Sequence, residues 1–210
     1  MFEVRSGSSK STINHQPSNG TPWALVFGLW LLLAGGCHNA SSNDPAAVDV
    51  VVEGGGTFPI SLAGRWTDRQ EGWEFQLEPD GRISAAILSF GRVRVTPGQT
   101  TTVPTRSGQQ AVFTPGRWTV HYVPRTRELT IRLTMDHVRV DLGGSVLEGS
   151  STDVFVGPVA PTGRAWQAQW TTFPRYLART ADRVSADLST DPVQGETRPL
   201  LFEKSGLQDL

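Results

Sequence analysis

Residues 73–87 read Trp-Glu-Phe-Gln-Leu-Glu-Pro-Asp-Gly-Arg-Ile-Ser-Ala-Ala-Ile, and this stretch decides the fold. Trp73, Phe75 and Leu77 alternate with Glu74, Gln76 and Glu78, the period-two pattern of a strand with one apolar and one polar face. Pro79-Asp80-Gly81 then supplies turn chemistry, because proline pre-sets its own dihedral and glycine accepts the left-handed position. Ile83, Ala85 and Ile87 resume the alternation, so the stretch predicts a hairpin that covers a core on one side.

The same pattern extends along the chain. Trp118, Val120 and Tyr122 precede a turn at Pro124-Arg125-Thr126-Arg127, and Leu129, Ile131 and Leu133 follow it. Val138, Val140 and Leu142 alternate with Arg139 and Asp141 as a further strand, which places His137 in a tight turn beside Asp136. Another hairpin runs through Val154 and Val156, turns at Pro161-Thr162-Gly163 and returns through Trp166, Ala168 and Trp170. Arg198 to Glu203 predicts a final strand. Strands with one apolar face each are satisfied by an antiparallel sheet closed as a barrel or stacked as a sandwich. The 22 glycines and 14 prolines suit the many turns such a fold needs. One helix interrupts the expectation: Leu177, Ala181, Val184 and Leu188 recur at helical spacing, with Thr172 as a cap and Pro174 in the first turn. The expected class is therefore all-β, with one short C-terminal helix.

Upstream, residues 23–34 carry no charge, Arg5 and Lys10 precede them against Glu3, and Gly35 and Gly36 follow. That is the order of a secretory signal, and the apolar run is too short for a bilayer-spanning helix, which takes about 20 residues. Leu33-Ala34-Gly35-Gly36-Cys37 resembles the lipobox of bacterial lipoproteins, with Ala34 where leucine is usual. The resemblance implies removal of residues 1–36, a diacylglycerol thioether on Cys37 and acylation of the new amino terminus. Several acyl chains hold a protein at a membrane stably. His38 occupies the place where aspartate would mark retention in the inner membrane, which points to the outer membrane of the cell envelope where one is present. The expected organisation is a signal peptide over 1–36, lipidated Cys37 and a flexible tether over 37–57, a β domain over 58–204 and a loose tail over 205–210. Val48 and Val50 to Val52 within the tether read alternatively as a short edge strand.

Composition narrows the function. A formal net charge of −1 argues against nucleic acid as a partner. A single cysteine excludes an intramolecular disulfide. No Gly-x-Ser-x-Gly and no glycine-rich phosphate loop occurs, and Glu74, Glu78, Glu128 and Glu148 read as solvated strand faces. His121 falls on the polar face of its strand and has no spaced partners for a metal. No catalytic, cofactor or metal residues are expected.

Gly-Arg-Trp-Thr at 64–67 recurs at 116–119, and Gly163-Arg164-Ala165-Trp166 echoes it; in each a glycine turn opens a strand that carries a tryptophan near its start. Gly64-Arg65-Trp66 also resembles the Gly-x-Trp signature of lipocalins, and Thr152-Asp153 the start of their Thr-Asp-Tyr motif, with Val154 in place of the tyrosine. That resemblance implies an eight-stranded barrel holding a small apolar molecule, with Arg164 or Arg175 as the late arginine of the family. The leading expectation is a non-catalytic envelope lipoprotein that binds a small apolar or glycan ligand, or a protein partner, with Trp66, Trp73, Trp118, Trp166 and Trp170 as candidate lining residues. The alternatives are a structural or assembly lipoprotein with a filled core, and a hydrolase with a dispersed site.

Overall fold

A computed structural model describes residues 47–180, 183–190 and 195–205, and these are almost wholly β. The strands are β1 (Val48–Val52), β2 (Gly64–Asp68), β3 (Glu74–Leu77), β4 (Ile83–Ile87), β5 (Arg94–Val95), β6 (Thr101–Pro104), β7 (Gln110–Pro115), β8 (Trp118–Val123), β9 (Glu128–Asp141), β10 (Val146–Pro158), β11 (Ala165–Thr180), β12 (Arg183–Asp187) and β13 (Glu196–Lys204).

Three long antiparallel strands, β9, β10 and β11, form the platform. Each outer edge of the platform is divided between two short partners. β8 pairs β9 along Glu128 to Arg132 and β7 pairs it along Met135 to Val140. β13 pairs β11 along Ala165 to Thr172 and β12 pairs it along Leu177 to Thr180. The ladder continues from β13 through β2, β3 and β4 to β5, and from β8 to β1. One sheet thus curls into a half-barrel that ends at β1 and β5. The β1–β8 pair is parallel. This open, mixed ladder of thirteen strands departs from the eight-stranded barrel that the lipocalin resemblance implies.

The inward side chains of the platform form rungs fixed by its register. From one end they run Ile131–Phe155–Trp170, Leu133–Asp153–Thr172, Met135–Ser151–Pro174, Val138–Gly149–Tyr176 and Val140–Leu147–Ala178. On the far side of the first rung, away from Leu133–Asp153–Thr172, the curl is filled. Trp66, Trp118 and Trp166 are fully buried, and each indole N–H donates to a backbone carbonyl: Leu62 at 2.8 Å, Thr134 at 3.1 Å and Gly157 at 3.0 Å. Trp166 stacks on Phe202 at 4.9 Å between centroids, and Phe75 meets Phe155 edge-on at 5.1 Å. The strands approach so closely here that a methyl carbon on Gly157 would lie 1.8 Å from the Gln167 carbonyl oxygen, so only glycine fits.

Several expectations are corrected. No α-helix forms among the described residues. Leu177 lies on β11, and Arg183–Asp187 returns antiparallel as β12 (Ala181 lies outside the described residues). The helical spacing fails because the core is met by Tyr176 and Ala178 at period two, with Leu177 on the other face. Thr172 and Pro174 are strand residues, not a cap and first turn. Pro174, which has no N–H to donate, sits between the stretches of β11 paired by β13 and by β12.

His137 is not in a turn. It sits mid-strand on β9, where Asp136 and His137 together face Ser150; two consecutive residues point outward and the alternation changes phase. On β10 the core side chains are Ser151, Asp153 and Phe155, not Val154 and Val156. Val48–Val52 is a strand, so the ordered domain includes residues assigned to the tether, and the edge-strand alternative holds. Glu74 is buried, not solvated. The signal segment, Cys37 and residues 206–210 lie outside the described residues.

Candidate functional site

Past the Ile131–Phe155–Trp170 rung the curl is hollow and encloses a cavity of about 350 Å³. Its floor is Trp73 and Trp170, whose rings meet at 5.6 Å and 70°. Its walls are Met135, Val138 and Leu147 from the platform, Phe113 of β7 beside Val138, and Phe90. Leu188, which follows β12, lines the same space. The exposed residues of its lining, Arg69, Gln70 and Arg92, lie on the β2–β3 turn at 69–72 and the β4–β5 turn at 89–92, which together form its mouth.

The mouth is braced by paired charges. Buried Glu74 accepts from Arg65 Nε at 2.8 Å and from Arg92 Nη2 at 2.6 Å, which ties the 89–92 turn to β3. Buried Asp68 accepts from the Glu71 backbone N–H at 2.7 Å and so shapes the 69–72 turn. Arg198 Nη1 donates to Glu71 Oε1 at 3.1 Å and its guanidinium also pairs with Glu196, which joins that turn to β13.

Inside, the second and third rungs carry polar groups. The Asp153 carboxylate is buried on the cavity wall and accepts from Trp170 Nε1 at 2.9 Å. The Ser151 hydroxyl is hydrogen-bonded both to Asp153 and to the Tyr176 phenol, and Thr172 is a further partner of Asp153. Loss of solvent raises the Asp153 carboxyl to about 6, although the bonds from Trp170, Thr172 and Ser151 hold it down. Burial likewise pushes the Tyr176 phenol up to about 12, opposed by its bond with Ser151 and reinforced by the nearby Asp153 charge. Trp73 Nε1 is buried and has no hydrogen-bond partner among the described residues.

Of the five candidate tryptophans, the structure brings Trp73 and Trp170 to the cavity. Trp66, Trp118 and Trp166 lie in the filled core. Asp153, Ser151 and Tyr176 were missed by sequence reasoning. The signal was present in the phase of β10, since counting back by twos from Phe155 places Asp153 and Ser151 inward. Among the described residues, no three His, Cys, Asp or Glu side chains gather in a metal-ligating group. His137 lies 3.9 Å from Glu148, which is also 3.7 Å from Arg139, on the exposed face of the platform.

No protein-family model matches the chain, and no curated protein or solved structure matches it.

Proposed function

We propose that this protein is an exported, lipid-anchored lipoprotein of the cell envelope, and that its β domain binds a small, largely apolar ligand without transforming it. The lipid would sit on Cys37, as the run Leu33 to Cys37 suggests. The observation that carries the binding reading is the cavity over Trp73 and Trp170, enclosed by apolar side chains with a few polar groups at fixed points, the usual composition of a ligand pocket. Its volume of about 350 Å³ is near the lower end of the roughly 300–1,000 Å³ common for such sites, which favours a compact molecule over a long acyl chain.

Two measurements test the reading. Tryptophan emission should respond when the purified protein is titrated with compact hydrophobic dyes, and Trp73→Phe with Trp170→Phe should remove most of the response. A flat titration of demonstrably folded protein would leave the structural reading, a lipoprotein with a purely architectural domain. Separately, Cys37→Ser should abolish incorporation of labelled fatty acid and leave the precursor uncut; continued labelling of the variant would end the anchor reading.

A further inference from the structure

The geometry points to a ligand with a protonated amine, seated with its nitrogen at Asp153 and its apolar body over Trp73 and Trp170; this rests on the binding reading above. A carboxylate is rarely taken out of water without a cation beside it, because desolvation of an unpaired charge is costly. Asp153 is nearly fully buried, yet its partners among the described residues, Trp170, Thr172 and Ser151, are all neutral. It lines a space large enough for a ligand, so the missing counter-charge has somewhere to enter. The same space is walled by the rings of Trp73, Trp170, Phe90, Phe113 and Tyr176, whose faces attract cations.

The arginines at the mouth do not oppose this. Arg92 is held by Glu74, Arg198 by Glu71 and Glu196, and Arg69 lies 3.6 Å from Glu203. Counted with their partners, Arg65, Arg69, Arg92 and Arg198 are matched by Glu71, Glu74, Glu196 and Glu203, so the rim carries no excess of either sign. A neutral or anionic ligand would leave the Asp153 charge as it is; an ammonium ion would neutralise it in the dry interior, where charge-assisted bonds are strong.

The titratable groups that face Asp153 or share its cavity are Tyr176 on the same wall and the paired charges of the rim. The β9 residues beside it, Leu133 and Met135, do not titrate.

The test is calorimetric titration of the full-length protein with 2-phenylethylamine, 2-phenylethanol and phenylacetate, which share an aromatic body. At pH 8 the amine should bind at least about tenfold tighter than the alcohol, and phenylacetate weakest. The amine's advantage should shrink as pH falls below about 6 and Asp153 takes up its proton. Asp153→Asn should erase the advantage while a compact hydrophobic dye still binds. Equal affinity for amine and alcohol, preference for phenylacetate, or an amine preference that survives Asp153→Asn would each overturn the assignment. The pH series on the unaltered protein decides the matter if the variant does not fold. Dye binding with no amine preference would leave the cavity reading standing and remove only this one, whereas loss of both would remove the two together.

Discussion

The two ends of the curled sheet are built from the same three strands by the same alternation, yet one is solid and the other hollow. At the solid end the rungs hold Phe155 and the indoles of Trp166 and Trp66, with Phe75 and Phe202 interleaved, and every indole N–H has a backbone acceptor. At the hollow end the inward positions of β10 include Ser151 and Gly149, too small to reach the opposite wall. Side-chain volume, not strand pattern, therefore separates a filled core from a cavity, and period-two hydropathy is blind to that difference.

Truncation at the solid end should break this contrast most severely. Trp166→Ala removes a fully buried indole that stacks on Phe202, and should lower the stability measured by urea denaturation by about 3–5 kcal/mol. A loss below about 1 kcal/mol would mean that this end is not close-packed.

Asp153 sharpens the comparison through pH. Its carboxyl, raised to about 6 in the folded protein, holds its proton more tightly than in the unfolded chain, where a value near 3.9 is usual. The stability it contributes is thus fully present below about pH 4 and is lost as pH rises through about 6, a change of the order of 2–3 kcal/mol. Unfolding free energies of the natural protein and of Asp153→Asn, compared across that window, should diverge in this direction. Parallel curves would place the carboxylate in a wetter site than the structure gives it.

At the hollow end Met135→Ala enlarges a space that already exists, so its loss should be at most about 2 kcal/mol, at the low edge of the usual range for a buried methionine. Dye uptake should persist in that variant, with the emission response as the readout. The smallest effect belongs to neither end. Arg117 and Asp49 pair on the exposed β1 edge, and the pair holds the Asp49 carboxyl below its usual range. Exposed pairs of this kind contribute little, so Arg117→Ala should leave the denaturation midpoint where it is.

Most strands were legible because tryptophan and the branched residues mark one face unambiguously, as at Trp73–Phe75–Leu77, Trp118–Val120–Tyr122 and Trp166–Ala168–Trp170. Legibility failed wherever the inward face carried polar or small residues. On β10 the outward Val154 and Val156 look more like core than the inward Asp153, so hydropathy selects the wrong face. At Asp136–His137 a bulge shifts the phase, and one continuous strand reads as two strands and a turn. At β11 and just past β12, Leu177 and Leu188 fall at helical spacing by coincidence: Leu188 lines the cavity while Leu177 faces the other way. Glu74 was misread for a different reason: its burial depends on Arg92, distant in sequence, arriving beside it. The cavity inherits these failures, since Asp153, Ser151 and Tyr176 all lie on the ambiguous strands.

The placement of β13 bears on how the protein is made. β13 is the only strand ladder joining β2–β5 to the platform among the described residues, and it comes after every other strand in the chain. A ribosome or a secretion channel delivers it after the strands it must join, so the solid end cannot close while earlier segments emerge. Contacts that span so much of the chain fold slowly, on the order of milliseconds to seconds for β topologies of this kind. The β2–β5 strands accordingly stay apart from the platform until β13 arrives.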